Sequence, residues 1–315
     1  MNNIPSANTS PLRKLYSILV RMVQWIIFSD IYITLGAVSF GYVNSRLLGL
    51  QTEHLTFLFL IVACATMFIY QFSRWTFFRD VPNDLSKDLL YYWMGKNHFV
   101  VNALMFLSIL GGIICVFFVR IHVIFILMIL GFISFLYNIN IPIGKQKVLT
   151  LRKIPFAKIF MIALVWSSMA VILPWVEEKG LVWHLPTFNL FVLQFMFIFI
   201  ITLPFDINDV EVDRVTGVKT IPISIGVSQA KFLLALLTFL YLILIWRWME
   251  KNMQITIHLE IFCAGISILL SALLYKTIIR SHRAGKWQIM LWYDGSLILY
   301  FIIFVLSYWV TTKMV

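Results

Sequence analysis

Nine stretches of mostly apolar residues divide this chain, at roughly 30–50, 54–74, 98–119, 121–141, 156–176, 187–205, 230–249, 255–278 and 288–311. Each is close to the ~20 residues an α-helix needs to cross the hydrocarbon core of a bilayer. Backbone amides cannot go unpaired in lipid, so an open chain crosses it as helices. Of 315 residues, 61% are hydrophobic and 12% are charged, more apolar surface than a soluble protein of this size can hide. The fold expected is all-α, a polytopic membrane bundle of about nine transmembrane helices. The two spans within 98–141 are joined by little more than Arg120 and His122, which predicts a tight helical hairpin.

The segment ahead of these spans has another character. Residues 11–28 carry Arg13, Lys14 and Arg21 among Leu, Ile, Val and Trp, which reads as an amphipathic helix lying on an anionic membrane face. Its basic region runs on without a small-residue cleavage site, which argues against a signal peptide. The chain therefore divides into a basic amphipathic segment, 1–29, and a single membrane-embedded domain, 30–315.

Orientation follows from the basic residues. With the N-terminus cytoplasmic, 19 of the 25 Lys and Arg fall on the inner side and 6 on the outer. The expectation is a plasma or inner membrane protein with its C-terminus outside. The net charge of +11 is then mostly a cytoplasmic rim facing anionic lipid headgroups, and no nucleic acid is needed to explain it.

Acids stand out against this background. Asp206, Asp209, Glu211 and Asp213 fall within eight residues at the end of an apolar run. Carboxylates near membrane depth are costly and mark function by default. Asp206, Asp209 and Asp213 are three and four residues apart, so they share one helix face, and Glu211 points away. Three like charges on one face need a cation, and carboxylate oxygens suit a hard ion such as Mg2+. The bland reading is a solvated helix end paired with Arg214 and Lys219. Two other inner loops bear on the choice. Loop 74–97 holds Asp80, Asp84 and Asp88, of which only Asp84 and Asp88 are safely on one helix, because Pro82 starts or breaks it. Loop 142–158 holds Lys145, Lys147, Arg152, Lys153 and Lys158. Acidic and basic loops at the mouths of apolar helices suit a polyphosphate head with a greasy tail.

The run from Asp206 to Gly226 resembles the second aspartate-rich motif of the UbiA-type membrane prenyltransferase superfamily. The matching residues are Asp206, Asp209, Asp213, Gly217, Lys219, Thr220, Pro222 and Gly226. The resemblance implies a helical bundle around a central cavity, Mg2+ held by Asp206, Asp209 and Asp213, and a catalytic role for these and Lys219. It implies an isoprenyl diphosphate donor and an aromatic or lipid acceptor. The departure is at the first motif, Asn-x-x-x-Asp-x-x-x-Asp. Here that pattern meets Gln71, Trp75 and Arg79, with no acid. Either the motif has moved to Asp80, Asp84 and Asp88, with Asp84 and Asp88 as metal ligands, or Arg74 and Arg79 bind phosphate in place of one metal. Lys145, Lys147 and Arg152 would add charge for the diphosphate. The leading reading is a prenyl-transferring enzyme. The alternatives are a catalytically degenerate isoprenoid-lipid-binding protein of the same fold and, less favoured, a transporter.

Three further features are weaker. Asp30 reads as an acid at the start of the first span. Asp294 reads as a helix-end acid paired with Lys286 or Arg283, or else as an acid that faces the cavity. Cys64, Cys115 and Cys263 lie inside spans and are expected as unpaired fillers.

Overall fold

The computed structural model describes residues 11–79, 89–138, 141–143, 147–149, 154–253, 257–279 and 286–314. Helices account for nearly all of them: α1 Pro11–Phe28, α2 Ile31–Leu47, α3 Thr56–Arg79, α4 Leu89–Lys96, α5 His98–Val116 and α6 Ile121–Asn138. A two-stranded antiparallel ribbon follows, β1 Ile141–Ile143 with β2 Lys147–Leu149. Then come α7 Ala157–Ser167, a π turn at Ser168–Ile172, α8 Leu173–Lys179, α9 Leu185–Asn208, α10 Val210–Thr216, α11 Ile221–Ile225, α12 Val227–Asn252, α13 Ile257–Ile279, α14 Lys286–Tyr293 and α15 Gly295–Met314.

Each of the nine expected spans corresponds to a helix. Among the described residues seven helices are long and apolar enough to cross a membrane, and eight if α1 and α2, bent by 64° at their junction, form one span. Ile121–Leu136 is apolar but shorter, so nine is an approximate count. Many large apolar side chains point outward, among them Phe106, Phe117, Phe132, Phe232 and Ile268. Lipid, not water, is the solvent that such a surface suits. Hydroxyls inside the helices are satisfied locally: Ser45, Ser108, Ser167, Thr238 and Thr277 each donate to the carbonyl four residues back.

The core gathers around α9, which packs against α7, the π turn and α12. At its middle Phe40, Phe197, Tyr241, Phe262 and Tyr300 are fully buried, with neighbouring ring centres 5.2–5.7 Å apart. Such offset and edge contacts add to the burial term. The expected hairpin of the two spans within 98–141 does not form. Instead α5 packs along α3, and α6 leans on α3, α7 and α8. The reason is local. Gly111 and Gly112 let α5 come close to Cys64 of α3, where a Cβ on Gly111 would stand 3.0 Å from the Cys64 sulfur. All three cysteines are free.

At the end of the bundle expected outside, loops are stitched by polar contacts. Glu177 accepts the Arg120 amide at 2.9 Å, Glu178 accepts the Gln51 amide at 2.7 Å, and Trp248 Nε1 donates to the Pro186 carbonyl at 2.9 Å. The candidate site lies at the opposite end.

Candidate functional site

The acid run is built on a helix that almost continues. Pro204 inside α9 lacks an N–H, which frees a carbonyl one turn back and weakens the helix near its end. Asp209 separates α9 from α10 with non-helical angles, φ −94° and ψ 9°. Yet its amide still donates to the Phe205 carbonyl at 2.9 Å, and the Asp213 amide to the Asp209 carbonyl at 2.8 Å. The break therefore keeps the three-and-four spacing. Gly217, at φ 74°, ends α10 in the left-handed region that glycine takes without strain.

Asp206 and Asp213 are 1% and 2% exposed and converge on one ammonium. Lys158 Nζ stands 2.7 Å from Asp206 Oδ1 and 3.5 Å from Asp213 Oδ2, and is itself 12% exposed. Asp209 is half-buried and its Oδ1 accepts from Asn208 Nδ2 at 3.3 Å, while Glu211 is exposed. Lys158 comes from the first turn of α7. Its placement is set by Phe156, held at φ 63°, whose amide donates to the Lys219 carbonyl at 3.0 Å. The loop after α10 is thus tied to the start of α7 by main chain. The Lys219 side chain is exposed, so what Lys219 contributes to this geometry is its carbonyl.

A second acid–base cluster stands at the same end. Arg74, on the last turns of α3, pairs with Asp30 Oδ1 at 2.7 Å and donates to the Phe28 carbonyl at 2.9 Å. Gln71, fully buried, donates to the Ser29 carbonyl at 2.9 Å. Both side chains hold the break between α1 and α2, where Asp30 sits at φ 62°. Asp294, at the break between α14 and α15, lies in the electrostatic field of Arg74 and Asp30. Asp30 stands at the N-cap of α2, as expected of a helix-start acid, but its side chain pairs with Arg74 and makes no capping hydrogen bond. Arg283 and the side chain of Lys286, the partners expected for Asp294, lie outside the described residues. Arg74 itself is committed to protein partners. The acid-free stretch of α3 now has a local explanation: Gln71 and Arg74 clamp a helix break.

Between α3, α6 and α7 lies an apolar cavity of about 310 Å³. Thr66, Tyr70, Ser73, Ser134 and Trp166 are its polar or amphipathic lining, among Ile, Leu, Met and Val. The size is at the lower end of small-molecule sites. Along α7, Met161 and Ile162 line it one turn after Lys158. Along α3, Arg74 lies one turn after Tyr70. Both basic residues therefore sit beyond the same end of the cavity.

Among the described residues no group of three His, Cys, Asp or Glu could hold a metal. A hard cation often takes only one or two carboxylates, with phosphate oxygens completing its shell. The donor set of Asp206 and Asp213, with Asp209 beside them, fits that use. Asp84, Asp88, Lys145 and Arg152 lie outside the described residues, as do the side chains of Arg79 and Lys147. Lys158 had no assigned site role in the sequence, and Arg74, expected to bind phosphate, is found paired with Asp30. Lys158 could have been found from its position beside an apolar helix face, but its acid partners lie 48 and 55 residues away.

The architecture is that of a multi-span helical bundle with charged groups at one mouth of an apolar cavity. The model of the UbiA prenyltransferase family matches residues 97–295, and the chain belongs to that family. Solved structures agree on the fold. A UbiA homologue from Aeropyrum pernix K1 without ligand is 12% identical, with a TM-score of 0.65 over 90% of this chain and 98% of that one. A UbiA homologue from Archaeoglobus fulgidus, bound to GPP and Mg2+, is 16% identical, with a TM-score of 0.58 over 92% and 97%. A digeranylgeranylglyceryl phosphate synthase structure is 18% identical, with a TM-score of 0.53 over 91% and 96%. No curated protein matches in sequence.

Proposed function

We propose that the protein transfers a prenyl group from a prenyl diphosphate to an aromatic or lipid acceptor, at the cytoplasmic face of a plasma or inner membrane. The observation that carries this reading is the convergence of Asp206 and Asp213 at the end of the apolar cavity. The Archaeoglobus homologue's GPP and Mg2+ support the donor class. The cavity shelters the apolar tail and excludes water from the reacting carbon. The C–O bond to diphosphate breaks, the electron pair leaves with the diphosphate, and the allylic cation bonds to a nucleophilic atom of the acceptor, which then loses a proton. Asp206, Asp209 and Asp213 would hold Mg2+, which neutralises charge on the leaving diphosphate. Lys158 supplies positive charge at the same mouth.

The test is turnover of labelled GPP and longer prenyl diphosphates by the purified chain, with aromatic and lipid acceptors. Asp206→Asn and Asp213→Asn are expected to lower turnover by about 10² or more, as loss of an electrostatic group in a dry site does. Glu211→Ala, on an exposed side chain, is expected to stay within about twofold. Equal losses from all three would remove the shared-site argument. The second reading, a lipid-binding protein without transfer, is favoured by one observation: α3 offers Gln71, Trp75 and Arg79 where acids are the family pattern. Tight donor binding with no turnover under any acceptor would select it.

A further inference from the structure

We propose that Lys158 is a resident counter-cation of the acid pair, and that a divalent ion binds Asp206 and Asp213 only by displacing it. This rests on the metal-assisted reading above and adds the residue that controls metal access. Two carboxylates this close and this buried repel each other unless a cation lies between them. Lys158 provides that cation, bridging one oxygen of each acid at 2.7 and 3.5 Å. A Mg2+ ion held by the same two carboxylates, at about 2.0–2.1 Å from an oxygen of each, would lie beside that ammonium. In these surroundings like charges are poorly screened. The two cations are therefore alternatives at this pair.

The residue type suits an exchange. Lysine carries a point charge on a flexible stem and gives up a contact without the fixed two-pronged geometry of arginine. The main chain around it stays tied, through the Phe156 amide and the Lys219 carbonyl, so that the side chain can move while its helix does not. A released ammonium remains one turn from Met161 and Ile162, at the end of the cavity where a diphosphate head is expected. The same charge then serves twice: it closes the acid pair without metal and faces the anion when metal is bound.

The test uses the full chain in detergent with Mn2+ alone, followed by electron paramagnetic resonance. Lys158→Met is expected to bind Mn2+ about tenfold more tightly than the unaltered chain, one decade in Kd. Equal or weaker binding overturns the proposal. A second measurement needs no variant and so does not depend on that chain folding. Amine labelling of Lys158, read by mass spectrometry, is expected to rise several-fold when Mn2+ is added. Labelling that stays level or falls overturns the proposal. No prenyl donor is present in either measurement, so failure here is separate from failure of the transferase reading, which donor turnover decides.

Discussion

Lys158 with Asp206 and Asp213, and Arg74 with Asp30, are two versions of one device at the site end of the bundle. In each, a cation from one helix pairs with acid from another part of the chain. They differ in hardware. Arg74 also donates to a backbone carbonyl, so its fork is pinned, and it serves the chain path between α1 and α2. Removing it leaves Asp30 buried without its cation. Arg74→Ala is expected to cost about 3–5 kcal/mol of stability, the range for breaking a buried pair from one side. The measurement is thermal unfolding in detergent. Adding Asp30→Asn to that variant is expected to recover part of the loss, and an unchanged Tm in the single variant would show that the pair does not hold the break. Asp206 and Asp213, the acids of the Lys158 cluster, were legible in the sequence because their spacing repeats with the helix. Their cation was not. Lys158 looked like one of five basic residues in an inner loop, and nothing in its neighbourhood says which acid it meets.

Helices were the easiest elements to read, because lipid demands about twenty apolar residues and the chain supplies them in blocks. Their breaks were harder. Asp30 and Phe156 adopt left-handed angles that neither residue favours alone. Each is held by partners remote in sequence. Helix pairing was read wrongly where a short connection suggested a hairpin. The better signal was Gly111–Gly112 in α5, which marks a close approach and not a turn. Gly111→Leu is expected to force α5 off α3 and to cost about 1–3 kcal/mol, as overpacking does. Cys64→Ala in the same chain is expected to return part of that. Thermal unfolding of the two variants and their combination measures the coupling, and purely additive shifts would contradict a direct Gly111–Cys64 contact.

For the whole molecule, the fold class was visible in composition, while charge supplies an expected orientation. The placement of the acid loop inside the cell still rests on that charge, and labelling can decide it. Val215 is 88% exposed beside the acids, and Leu181 is 66% exposed at the other end. A cysteine placed at Val215 is expected to react with an impermeant reagent only in inverted vesicles, and one at Leu181 only in right-side-out vesicles. The reverse pattern would invert the molecule. One feature in between fixes how the two ends relate. The π turn at Ser168–Ile172 carries an extra residue within the span that bears Lys158 at one end and Glu177 and Glu178 at the other. One residue amounts to about 100° of helix rotation. With Glu177 and Glu178 anchored to neighbouring loops and Phe156 tied to Lys219, that insertion lets both ends of the span keep their angular settings at once. Without it the ammonium would sweep about a quarter of a circle away from its acids, so the phase of one helix sets whether the two mouths of the protein are wired to match.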